Sequence, residues 1–124
     1  MELNLRQKNN LLTGVILAQE LEPIIEDTRR FITVRSLRKS PDGKLSTWGK
    51  KIPSDEDFNS AVYFVKVYSV RSDLMEYDLL ESQLSEYSYF EIIETLESLY
   101  SILSGYMNDC DSLVPQWDCD NPLE

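Results

Sequence analysis

Ala61-Val62-Tyr63-Phe64-Val65-Lys66-Val67-Tyr68-Ser69-Val70 carries an apolar side chain at almost every position and is rich in β-branched and aromatic residues. That is the pattern of a strand covered on both faces or nearly so, and it predicts a small antiparallel sheet with this segment at its centre. Upstream, Phe31-Ile32-Thr33-Val34-Arg35 is again β-branched, Pro41-Asp42-Gly43 is turn chemistry, and residues 44–48 form a short partner, so a hairpin is expected. Residues 52–59, with Pro53 and Ser54-Asp55-Glu56-Asp57, read as a connecting loop or a single helical turn.

Helices are expected on either side of this sheet. Leu5, Leu12, Ile16 and Gln19, with Leu11 and Val15 beside them, suit a helix over residues 5 to about 21 that accommodates Gly14 and stops or kinks at Pro23. Residues 24–28 either restart as a second short helix or continue the first. Downstream, Asp73-Leu74-Met75-Glu76 has capping spacing, and Leu74, Tyr77, Leu80, Leu84 and Tyr87 recur at helical intervals. Ser88-Tyr89-Phe90-Glu91 offers another capping box before Tyr89, Ile92, Ile93, Leu96, Leu99, Tyr100, Leu103, Tyr106 and Met107. The expected class is α+β: an N-terminal helix, a small antiparallel sheet of about three strands, and two C-terminal helices packed on one face. Residues 1–107 would form one globular domain and residues 108–124 an acidic tail.

The 124-residue chain is long enough to bury roughly two-thirds of its unfolded surface without disulfides or metal. The apolar run from Leu11 to Leu17 is too short for a secretory signal, is interrupted by Thr13 and Gly14, and lacks a small-residue cleavage site. No stretch approaches a membrane span, so a soluble cytoplasmic protein without membrane contact is expected. Cys110 and Cys119 are each flanked by two aspartates, which disfavours the thiolate.

Charge is the most uneven property of the sequence. All twelve Lys and Arg lie at or before Arg71, against nine acids, a balance of +3, whereas the remainder holds thirteen acids and no base, giving −10 overall. Eight bases and one acid, Asp42, fall between Arg29 and Lys51. With Trp48 among them, these residues have the chemistry of a nucleic-acid contact, but the net charge repels phosphate and nucleic acid is not expected as the partner. The later acids include Glu91, Glu94 and Glu97, set between apolar positions with no Lys to pair them at i,i+4. The tail adds Asp109, Asp111, Asp118 and Asp120 around Trp117, acids about an aromatic anchor.

Catalysis and metal binding find little support in residue types. There is no His, which excludes His-dependent triads and His-ligated zinc, and Gly14, Gly43, Gly49 and Gly105 form no phosphate loop. A calcium loop from Asp109 fails because Val114 occupies the sharp-turn position and Asp120 the bidentate one. No cofactor, metal or enzymatic activity is expected. The expected function is that of a small acidic inhibitor or immunity-type protein that covers the cationic site of a basic partner, such as a nuclease toxin. Glu91, Glu94, Glu97, Asp109, Asp111, Trp117, Asp118 and Asp120 would bind it. The alternatives are a self-assembling scaffold with head-to-tail charge pairing, or a nucleic-acid module using residues 29–51.

Overall fold

The computed structural model describes residues 1–49, 53–75, 83–120 and 122. Its elements run α1 (Leu5–Leu11), β1 (Leu17–Leu21), β2 (Thr28–Lys39), β3 (Leu45–Ser46), α2 (Asp55–Ser60), β4 (Ala61–Arg71), β5 (Glu86–Ile93), α3 (Leu96–Leu103) and β6 (Val114–Pro115). The strands form one six-stranded sheet in the order β5-β4-β2-β1-β6, with β3 paired to β2, and every pairing is antiparallel.

β4 behaves as its composition requires: it is interior, pairing β2 from Ala61↔Arg38 to Arg71↔Thr28 and β5 on its other side. The hairpin expected around Pro41-Asp42-Gly43 is present, with Arg38↔Ser46 and Lys39↔Leu45 in register. Gly43 turns it at φ +87°, and the Asp42 carboxylate accepts the Lys44 N–H.

The sheet has six strands rather than three, and the expected pair of C-terminal helices is absent from the described residues. Ser88-Tyr89-Phe90-Glu91 does not cap a helix; it lies within β5. The cause is a bulge. Val65 pairs Phe90 and Tyr63 pairs Ile93, so Glu91 and Ile92 together oppose the single residue Phe64. Phe90 and Ile93, three apart, therefore both reach the core, and one inserted residue imitates a helical spacing. The helix in this region begins later, where Thr95 Oγ1 accepts the Ser98 N–H, and attaches through Leu99 and Leu103. Each of these fully buried leucines is worth about 1.5–3 kcal/mol. The helix expected from Asp73 falls mainly on residues 76–82, outside the described residues; of its described ends, Ser72–Leu74 is a 3-10 turn and Tyr87 lies in β5.

The N-terminal helix is also shorter than expected. Asn4 and Gln7 form a capping box at its start, and Gly14 at φ +89° ends its last turn. Leu17–Leu21, helix-favouring by composition, becomes a strand because β2 and β6 pair it from both sides and tertiary pairing outweighs a weak propensity. Residues 55–60 form the short helix α2 where a loop or single turn was expected.

One sheet face buries Leu17, Ile32, Val34, Val65 and Val67 against Leu11, Trp48, Leu99, Leu103, Cys110 and Leu113. On the other, Phe31, Tyr68 and Val70 pack with Leu74, Met75, Leu84 and Cys119. The last segment crosses from one face to the other: Leu113 enters the first cluster, Val114–Pro115 pair with β1, and Cys119 joins the second. No helix among the described residues is long and apolar enough to cross a membrane.

Candidate functional site

The fold separates the candidate acids into two groups, because β5 and β6 stand at opposite ends of the sheet order. Glu91 is in β5, Glu94 just after it and Glu97 in the first turn of α3. Asp109, Asp111, Trp117, Asp118 and Asp120 lie on the segment that reaches and passes β6 beside β1. All eight are exposed. The helix face on which Glu91, Glu94 and Glu97 were to align does not exist, since only Glu97 is helical.

Early bases neutralise part of this charge. Lys39 Nζ meets Glu94 Oε1 at 2.8 Å, and that hydrogen bond holds the Glu94 carboxyl below its usual range. Arg29 closes on both oxygens of Glu20 at 2.6 and 2.9 Å and lies 3.6 Å from Asp120. Its hydrogen bond lowers the Glu20 pKa, while burial opposes the shift. Glu86 is held by Arg30 and Asp73 by Arg71. Glu91, Glu97, Asp109, Asp111 and Asp118 form no salt bridge with any described residue. These five leave an outward negative field at both ends of the sheet.

The two tryptophans have opposite fates. Trp48 is 7 % exposed and its indole N–H donates to Ser36 Oγ at 3.0 Å, so the basic hairpin has no indole face free to stack on a base. Trp117, in the 3-10 turn Gln116–Asp118, is 69 % exposed beside Asp118.

Two concavities accompany the acids. A cleft of about 340 Å³ lies among Gln19, Glu20, Glu22, Arg30, Tyr106 and Asp109; its Arg30 is engaged by Glu86 and its Glu20 by Arg29, so Glu22 and Asp109 are the carboxylates left to meet a cationic group. A more open groove of about 590 Å³ runs along the end of β5, lined by Tyr89, Glu91, Ile92, Glu94, Ser98 and Ile102. Sequence reasoning missed Glu20, Glu22 and the row Tyr87, Tyr89, Ile92. The signal for Tyr87 and Tyr89 was the alternation of polar and aromatic residues from Glu86 to Tyr89.

Cys110 is buried and Cys119 partly so, and no disulfide joins them. Burial raises the Cys110 pKa, and Asp109 and Asp111 add to the rise against the opposing N-terminal ammonium. Among the described residues no group of His, Cys, Asp and Glu is arranged to hold a metal ion. Comparison of the chain with known protein families, curated proteins and solved structures gave no match.

Proposed function

We propose that this protein binds a basic protein partner, as an acidic inhibitor of the immunity type that covers a cationic site. The observation that carries the reading is Trp117, 69 % exposed beside Asp118 on the segment that also bears Asp109 and Asp111, three carboxylates without an internal cation among the described residues. A large aromatic surface loses free energy in water and regains it in a partner's pocket, while the surrounding acids speed encounter with a positive surface. Glu91 and Glu97 extend the field at the other end of the sheet.

Head-to-tail self-assembly is the second reading, favoured by Arg38 and Lys44, which are exposed near the hairpin end and form no salt bridge with a described residue. A low-salt pull-down from the native lysate, run in parallel with Trp117→Ala and with Asp109→Asn/Asp111→Asn/Asp118→Asn, tests the first reading. It requires that the wild type retain a basic protein that high salt releases and that both variants lose it. Equal retention by all three proteins rejects it. Sedimentation of the purified protein at low and high salt tests the second, which requires an oligomer that dissociates in salt.

A further inference from the structure

The turn between β1 and β2 reads Glu22-Pro23-Ile24-Ile25-Glu26-Asp27. Ile24 is 69 % exposed, as much as Trp117, and Ile25 beside it is 42 % exposed. Chain reversal is served by polar and small residues, whereas two adjacent isoleucines bring apolar surface that the molecule leaves wet.

The turn is held in shape. Pro23 fixes its own φ, Thr28 Oγ1 donates to the Ile25 carbonyl at 2.6 Å, and the Ser72 N–H donates to the Asp27 carbonyl at 2.9 Å. Asp27 sits at φ +60°, a left-handed conformation that Asp enters more readily than most residues. Apolar side chains fixed in place before contact lose little freedom when a partner buries them.

Its charges have one sign. From residue 9 to residue 28 the chain carries Glu20, Glu22, Glu26 and Asp27 and no base. Glu20 is taken by Arg29, whereas Glu22, Glu26 and Asp27 form no salt bridge with a described residue. The turn also adjoins the Trp117 segment, since Arg29, the second residue of β2, lies 3.6 Å from Asp120.

We propose that Ile24 and Ile25 form a second anchor for the basic partner, entering an apolar recess whose rim bears Lys or Arg facing Glu22, Glu26 and Asp27. Charge complementarity selects this occupant over a second copy, whose net charge of −10 would meet the same carboxylates, and over an anionic lipid surface. The inference rests on the reading that the partner is basic and adds a recognition element apart from Trp117.

The probe is a synthetic amphipathic peptide of Lys and Leu; its counterparts are one of Lys and Ser with the same charge and one of Glu and Leu. Isoleucine-methyl and amide NMR spectra of the full chain at low ionic strength are the readouts. Movement of the Ile24 and Ile25 methyl signals with the Lys and Leu peptide alone supports the proposal, together with an affinity that Ile24→Ser/Ile25→Ser weakens about ten-fold at an unchanged melting temperature. Glu22→Gln/Glu26→Gln/Asp27→Asn weakens it about five-fold at low salt and less at high salt. If the Lys and Leu peptide moves the Trp117 indole and leaves both methyl signals in place, the second anchor is overturned and the basic-partner reading survives. No association at low ionic strength overturns both. Equal movement of the two methyl signals with either counterpart peptide overturns the proposal, as does their movement with phosphatidylglycerol vesicles or on self-association without peptide.

Discussion

The Arg30 guanidinium reaches across Ser69 and closes on both carboxylate oxygens of Glu86, at 2.8 and 2.9 Å. The three residues are one rung of the sheet, since Arg30 pairs Ser69 and Ser69 pairs Glu86 in register. Ser69 Oγ donates to the same carboxylate at 2.9 Å, and the Tyr106 ring covers the guanidinium at 5.4 Å. The Arg30 and Glu86 side chains are 12 % and 25 % exposed, so this pair is less screened than the other described ion pairs.

Glu86→Gln is therefore expected to cost about 1–2 kcal/mol, toward the lower end for hydrogen bonds to charged groups because the carboxylate remains partly wet. The Arg30 hydrogen bond lowers the Glu86 pKa, with burial opposing it. A depressed native pKa contributes stability above the unfolded value of about 4.3 and loses it as pH falls through the native value. Urea unfolding from neutral to acid pH should show a shallower acid loss in Glu86→Gln than in the wild type; parallel curves would contradict the assignment.

Gln7 ties the start of the chain to its last segment. Its side-chain amide donates to the Cys110 and Leu113 carbonyls at 2.6 and 3.0 Å in a buried setting. Gln7→Leu deprives both acceptors of this donor, and a loss of about 1–3 kcal/mol is expected in chemical denaturation. A loss below about 0.5 kcal/mol, within the range of surface substitutions, would mean that other partners satisfy these carbonyls.

At the alkaline end Tyr63 is the residue to watch. Burial pushes its hydroxyl pKa up to about 12, with Tyr100 adding to the shift. A raised native pKa makes the associated stability complete below the unfolded value of about 10 and removes it as pH climbs toward the native value. Stability should fall above about pH 10, and Tyr63→Phe should remove much of that dependence; an unchanged alkaline limb in the variant rejects the role.

Legibility in the sequence depended on how far each signal was local. β4 and the hairpin at Gly43 were readable because continuous β-branched composition and turn residues declare themselves within a few positions. Leu17–Leu21 was not, since its residues favour helix and only pairing with β2 and β6 makes it a strand. In β5 the bulge placed Phe90 and Ile93 on one face and so produced a false helical period. The candidate acids were legible as residues but not as a surface. No local pattern reveals that Lys39 reaches Glu94, or that β5 and β6 lie at opposite ends of the sheet.

That bulge supplies a prediction independent of any partner. Ile92 holds φ +50° with an exposed side chain, so Ile92→Gly removes strain of about 1–3 kcal/mol and little packing, against a glycine entropy cost of about 0.5–1 kcal/mol. The melting temperature should stay level or rise. A clear fall would mean that the Ile92 side chain stabilises the fold.

The two tryptophans separate packing from recognition. Trp48 lies in the core with its N–H on Ser36 Oγ, which itself donates to the Val62 carbonyl at 2.9 Å. Trp48→Ala should cost about 3–5 kcal/mol, as expected for removal of a large core aromatic. Trp117, exposed on its 3-10 turn, should cost within about 0.5 kcal/mol as Trp117→Ala. If the C-terminal acids and Trp117 form the contact surface, this second variant loses the basic partner while its denaturation curve overlays the wild type. Lost stability with partner capture intact would instead make Trp117 a structural tether and remove the anchor from the proposed interface.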